Sequence, residues 1–131
     1  LLKNSDVVSC HMNLNDTNVN YFDAEKFDMM AAKKPIFLNV SRGGEVDEQA
    51  MLDALDSGKI LAVGLDVLVS ESPDLNACPF IDREDCIVTP HSAFFSDDSI
   101  EACERISTEN AVYYINGQPE KVFKLVQNPK A

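Results

Sequence analysis

Short apolar runs alternate along this chain with stretches whose apolar positions recur at helical spacing. Val7-Val8-Ser9-Cys10, preceded by Asn4-Ser5-Asp6, reads as a buried strand following the end of a helix. Residues 13–20 are rich in Asn and Asp and read as a loop. Asp23 is placed to cap a helix over about 24–32, with Ala24, Phe27, Met30 and Ala31 on one side. A second strand spans 35–40, with Pro35 at its first position, where a missing N–H costs little. Ser41-Arg42-Gly43-Gly44 must turn tightly before Asp47 caps a helix over about 48–57. Met51, Leu52 and Leu55 share a face of that helix, and Gly58 supplies its left-handed cap. Residues 60–66 form a third apolar run, and 67–85 a long loop rich in Pro, Asp and Ser. Cys86-Ile87-Val88-Thr89 is a fourth strand, closed by Pro90. A last helix spans about 98–116, capped by Ser96 or Asp97 and ended by Gly117 and Pro119. Ile100, Cys103, Ile106 and Tyr113 or Tyr114 would form its buried stripe.

Alternation of strands with helices predicts an α/β fold with a parallel sheet and right-handed crossovers. Strands apolar throughout predict a sheet covered by helices on both faces. Ligands of such sheets bind beyond the carboxyl ends of the strands. His11 follows the first strand, Asn39 and Arg42 the second, Asp66 and then Glu71 the third, and Thr89-Pro90-His91 the fourth. Both histidines of the chain therefore fall at one edge, together with an arginine set apart from the lysines.

Each of these residues has a plainer reading. Arg42 and Glu71 fit solvated loops, Asp66 fits a cap for the loop after its strand, and both histidines fit structural roles. The set is more informative than its members. An arginine fork matches a carboxylate bidentately, and a histidine exchanges a proton with a hydroxyl near neutral pH. A carboxylate beside that histidine would fix its tautomer and favour its charged form. Together they point to redox chemistry on a small hydroxy or keto acid. No GxGxxG spacing occurs, so Gly43-Gly44 is not a phosphate cradle.

Composition narrows the partners. The chain has 131 residues, room for one ordinary domain, with 45% hydrophobic and 25% charged residues. Eleven Lys+Arg against twenty-two Asp+Glu give a net charge of −11, which argues against nucleic acid or an anionic membrane as partner. No apolar run approaches the ~20 residues of a membrane span. Cys10, Cys78, Cys86 and Cys103 are widely spaced and form no CxxC pair, so free thiols in a reducing cytoplasm are expected and a metal site is not.

The residues from Phe37 to Val67 resemble the second half of the cofactor domain of the D-isomer-specific 2-hydroxyacid dehydrogenases. So do the SESP step at 70–73 and the TPHSA segment at 89–93, in the order and spacing of that family. The resemblance runs from about Leu1 to Gly117. It implies a Rossmann-type sheet, NAD as cofactor with NADP also admitted, and a small 2-hydroxy or 2-keto acid as substrate. A homodimer is implied for the intact protein. Arg42 resembles the family's substrate-carboxylate binder, His91 its acid/base, and Glu71 the carboxylate that keeps that histidine protonated. Asp66 resembles the residue near the nicotinamide carboxamide. His11, Val40 and Ser41 would line the cofactor cleft with Arg42 and His91.

Several positions depart from the family pattern. Val69 stands where a first acidic residue is common, Ser72 intervenes before Pro73, and Asn13 replaces a frequent proline. Asn13-Leu14-Asn15 and Phe94-Phe95 are similar to a corepressor branch, which makes a dinucleotide-sensing regulator the alternative to an enzyme. In the family the glycine-rich turn and the ribose-reading acid lie upstream of the segment matching Leu1. The chain, which opens on Leu1-Leu2-Lys3, is thus expected to be part of a longer protein. Residues 1–117 would supply the nicotinamide side of the cofactor domain. Residues 118–131, with Val122, Phe123, Leu125 and Val126, would form a tail made to lie on a substrate domain, and disordered or docked on a neighbour without it.

Overall fold

The computed structural model describes residues 1–123 and divides into two units, Leu1–Ala93 and a second beginning at Phe94. The first unit runs β1 (Val7–Cys10), α1 (Ala24–Met30), β2 (Ile36–Asn39), a 3₁₀ turn (Gly43–Glu45), α2 (Glu48–Asp56), β3 (Ala62–Leu65) and β4 (Cys86–Val88). The strands form one sheet in the order β1-β2-β3-β4, with every neighbouring pair parallel. Their register aligns Val8 with Phe37, Phe37 with Val63, and Val63 with Cys86. All four carboxyl ends therefore lie along one edge, as the alternation of elements predicts.

Local signals set the helices. The Asp23 carboxylate accepts from the Lys26 amide and that of Asp47 from the Ala50 amide, at 3.0 Å each, so the predicted caps are the actual ones. β1 has the expected bounds, while α1, β2, α2, β3 and β4 are one to three residues shorter than their apolar patterns suggested. β3 begins at Ala62, although Ile60 is buried. The Ile60 amide turns back to the Ala54 carbonyl at the end of α2, and the strand starts only after that turn.

Both faces of the sheet were expected to be covered; in this unit one is. Val8, Cys10, Phe37, Asn39, Val63 and Leu65 point to the covered side, where they meet Phe27 and Met30 of α1 and Met51 and Leu55 of α2. Phe37 lies edge-on to Phe22 and Phe27, at centroid distances of 4.8 and 5.5 Å. On the other face Val7 is 53% and Ile87 70% exposed. The physical reason is that α1 and α2 both lie on the same side. Strand composition reports that a face is apolar, and only the path of the connections decides whether a helix crosses it.

The second unit is α3 (Asp97–Ile115) and a 3₁₀ turn (Pro119–Lys121). Ser96 is the cap of α3, its hydroxyl accepting from the Ser99 amide at 3.3 Å. The expected buried stripe is not buried: no residue of α3 is, with Ile100, Ile106 and Tyr113 half-exposed and Cys103 exposed. Helical periodicity marks which face is apolar, and α3 finds no complete cover for that face among the described residues. The start of the expected tail is held, because Asn110 accepts from the Phe123 amide at 2.8 Å and donates to its carbonyl at 3.2 Å. Leu125 and Val126 lie outside the described residues.

Two buried acids shape the site edge. The carboxylate of Asp66 accepts from the Thr89 hydroxyl, the Ser92 amide at 2.9 Å and the Ala93 amide at 2.8 Å. Its carbonyl accepts from the His91 amide at 2.9 Å. One side chain at the end of β3 thus holds the whole turn that follows β4. Burial pushes the Asp66 carboxyl up, but the Thr89 hydroxyl, the Ala93 and Ser92 amides and the His91 ring outweigh it, and its pKa is lowered. Glu45 is fully buried; one carboxylate oxygen accepts from the Cys10 thiol at 3.1 Å and the other has no hydrogen-bond partner among the described residues.

These two acids are expected to respond oppositely to neutral replacement. Asp66→Asn puts an amide NH₂ where N–H donors already converge. It is expected to lower stability by about 2–4 kcal/mol in urea unfolding at neutral pH. Because the carboxyl is depressed in the folded state, its contribution is present above the unfolded-chain value and lost as pH falls through the folded one, so the gap between wild type and Asp66→Asn should shrink in acid. Glu45→Leu removes an unsatisfied buried oxygen and is expected to raise stability by about 1–2 kcal/mol, seen as a higher urea midpoint at unchanged slope. Destabilisation by Glu45→Leu would mean that the Cys10 contact outweighs the unsatisfied oxygen.

Candidate active site at the carboxyl edge of the sheet

The edge is assembled from the four strand ends. Asn39, the buried last residue of β2, organises the segment after it. Its side-chain carbonyl accepts from the Ser41 amide at 3.0 Å and its NH₂ donates to the Arg42 carbonyl at 2.9 Å. The Asn39 main-chain carbonyl accepts from the Asp66 amide at 2.9 Å, tying β2 to β3 at this level. The Ser41 hydroxyl donates to the Met12 carbonyl and fastens the segment after β1 to the same turn.

Arg42 emerges from that turn exposed. Its guanidinium makes one hydrogen bond among the described residues, from Nη1 to the Ser41 carbonyl at 2.8 Å, which steadies it and leaves its other donors for a ligand. His91 follows Pro90 at the end of β4 in the left-handed region, at φ 52°. That backbone state is uncommon for a non-glycine residue and is held here by the Asp66 anchor. The turn brings Nδ1 of His91 to 3.0 Å from Oε2 of Glu71, twenty residues earlier, with side chains 40% and 60% exposed. A carboxylate on Nδ1 fixes the imidazole orientation and leaves proton transfer to Nε2. The pair borders a cavity of about 350 Å³ whose walls include Leu68, Leu75 and Val88, within the size range of small-molecule sites.

A second groove, of about 320 Å³, lies where the open sheet face meets the same edge, lined by Leu38, Val40, Gly64, Ile87 and Ala93 with Asp66 and Thr89 at hand. It has the apolar walls and polar end that a flat heteroaromatic ring with an amide substituent requires. The residues that would surround a bound nicotinamide thus fit that group.

The site residues expected from sequence sort into three kinds. His91 and Glu71 are in direct contact, and Arg42 and Val40 stand at the same edge. Asp66 is an anchor before anything else, because three donors occupy its carboxylate, leaving about one acceptor position of its four. His11 is engaged by the Ser9 hydroxyl of the strand it follows, 2.8 Å from Nε2. Sequence reasoning passed over Asn39 and Thr89 as anchors. The signal for Asn39 was present, since a polar residue at an inward position of an apolar strand needs a partner. Thr89 looked like an ordinary β-branched strand end.

The chain and its fold are similar to known proteins. The family model described as "D-isomer specific 2-hydroxyacid dehydrogenase, NAD binding domain" matches residues 1–93. A glycerate dehydrogenase of Methylorubrum extorquens is 35% identical over 125 residues, covering 95% of this chain and 40% of that protein. A D-lactate dehydrogenase of Lactobacillus jensenii, solved with NAD⁺, superposes with a TM-score of 0.83 at 29% identity, covering 97% of this chain and 41% of the other. A D-isomer-specific 2-hydroxyacid dehydrogenase of Xanthobacter autotrophicus, solved with NADPH, superposes with a TM-score of 0.80 at 29% identity, covering 96% of this chain and 50% of the other. The chain thus spans about two fifths of the glycerate and D-lactate dehydrogenases and half of the Xanthobacter protein. By its matched residues and its parallel sheet, the chain belongs to the NAD-binding domain family of the D-isomer-specific 2-hydroxyacid dehydrogenases.

Proposed function

We propose that the protein to which this chain contributes transfers hydride between a nicotinamide cofactor and C2 of a small D-2-hydroxy or 2-keto acid. The observation that carries this reading is the His91–Glu71 contact at 3.0 Å, on the strand edge where Arg42 also emerges. A bound nicotinamide supplies or accepts the hydride. In reduction, Arg42 binds the substrate carboxylate and draws charge from the carbonyl. His91 donates a proton from Nε2 to the carbonyl oxygen, and Glu71 on Nδ1 stabilises the imidazolium before that transfer. In oxidation His91 takes the same proton from the hydroxyl.

Val40 and its groove neighbours would flank the nicotinamide. Asp66 would chiefly hold the 89–93 turn, its remaining acceptor position offered to the carboxamide, while Ser41 and His11 would border the cleft. The similar structures contain NAD⁺ in one case and NADPH in another, so either cofactor belongs to the proposal. A cytoplasmic homodimer completes it. The four cysteines are free thiols, and no helix among the described residues is long and apolar enough to cross a membrane. The regulator alternative gains nothing from the relatives compared above, which are named as dehydrogenases.

The test is turnover of a 2-keto-acid panel with NADH and NADPH by the intact protein. His91→Gln is expected to lower turnover by about 10²–10⁴-fold while cofactor affinity by titration changes little. Glu71→Gln is expected to cost less, because the imidazole remains. Near wild-type turnover in His91→Gln would remove His91 from the reaction. Tight cofactor binding without turnover of any acid would favour the regulator.

A further inference from the structure

Glu71 sits on a segment with almost no hydrogen bonding of its own. From Leu68 through Pro73, the only backbone hydrogen bond among the described residues runs from the Val69 amide to Oε1 of Glu48, at 2.7 Å. The short N···O distance is that of a bond to a charged acceptor. Glu48 is the first residue of α2, directly after the Asp47 cap, so its backbone is fixed by the helix and by the buried Ala50-Met51 face beneath it.

The turn before α2 meets the same segment by shape. A Cβ on Gly43 would lie 2.1 Å from the carbonyl carbon and oxygen of Leu68, so the 68–69 peptide rests directly on the glycine. Val67, one residue earlier, is buried. The segment is therefore clamped at 67–69 and projects from there, with Glu71 two residues beyond the last fixed amide. Two residues of extended chain reach about 7 Å. A small rotation at Val69 then moves the Glu71 carboxylate by more than the tolerance of a hydrogen bond.

We propose that Glu48 is a positioning residue for the His91–Glu71 pair, holding the Val69 amide so that Glu71 meets Nδ1 of His91. This rests on the reaction proposed above. Glu48 touches neither His91 nor a reacting atom; it acts through Glu71. Because Arg42 and Gly43 are adjacent, the same turn seats the Glu71 segment and presents the substrate-binding guanidinium, so the spacing of substrate carboxylate and acid/base is set by one short piece of backbone.

Glu48→Ala, Glu48→Gln, Glu71→Gln and the double variant Glu48→Ala/Glu71→Gln would be compared in the intact protein. Glu48→Ala is expected to lower kcat about tenfold or more, with KM for keto acid and cofactor within about threefold. Glu48→Gln, which keeps an acceptor but not the charge, should recover to within about threefold of wild type. The double variant should be no slower than Glu71→Gln alone, since a residue acting only through Glu71 has nothing further to lose. Backbone amide exchange at Val69, followed by NMR, should accelerate about tenfold or more in Glu48→Ala and little in Glu48→Gln. Additive losses in the double variant, equal losses in the Ala and Gln variants, or unchanged Val69 exchange in Glu48→Ala would each overturn the proposal. Absence of turnover in the wild type would instead count against the proposed reaction, and the exchange measurement would still decide whether Glu48 holds the segment.

Discussion

The geometry of the candidate site's edge depends on one carboxylate. Asp66 leaves β3 buried and reaches across to the end of β4, where it binds the Thr89 hydroxyl and the amides of Ser92 and Ala93. Without that anchor nothing in the local sequence compels His91 into a left-handed backbone. With it, the imidazole is turned back over the edge toward Glu71. A charged acceptor suits the task because main-chain N–H groups at the end of a strand otherwise lack partners, and one carboxylate satisfies several at once. The cost of burying it is offset by those bonds, which is why its pKa lies low despite burial.

Around this anchor the edge is built as a series of ties between adjacent strand ends. Ser41 ties the turn after β2 to the segment after β1, Asn39 ties β2 to β3, and Asp66 ties β3 to the turn after β4. Each tie is polar and sits at the boundary where ladder hydrogen bonding ends. The apolar core beneath, centred on Phe37, keeps the strand ends level, and the ties aim what projects from them. Function is concentrated in loops, but these loops are held by the scaffold rather than free of it.

At the opposite end of β4 a second charged cluster secures the sheet margin. Arg83 bonds Asp85 at 2.8 Å and Asp56 of α2 at 2.9 Å. The Arg83 guanidinium beside it, against the opposing effect of burial, holds the Asp85 carboxyl down to about 2. The site edge uses buried single acids against neutral donors, whereas this margin uses paired charges near the surface. The difference follows from solvent: an exposed pair gains little from water exclusion and serves mainly to fix geometry.

Much of the architecture was legible in the sequence. Caps at Asp23, Asp47 and Ser96 act over three residues, and strand and helix patterns repeat within a few positions, so neighbouring residues suffice to read them. The parallel order then followed from alternation alone, and with it the gathering of His11, Arg42, Glu71 and His91 along one edge. What the chain order left open was which of these residues meet. His91 joins Glu71 across twenty residues, Asp66 joins Ala93 across twenty-seven, and Glu48 joins Val69 across twenty-one, whereas His11 turns back to Ser9, two residues earlier. The covered and open faces of the sheet, and the uncovered stripe of α3, were likewise undecided by periodicity. Short-range preference determines elements because its partners are close along the chain. Contacts at the site join residues brought together only when the strands align: the family resemblance named Glu71 as the partner of His91, and tertiary structure alone selected the other pairs.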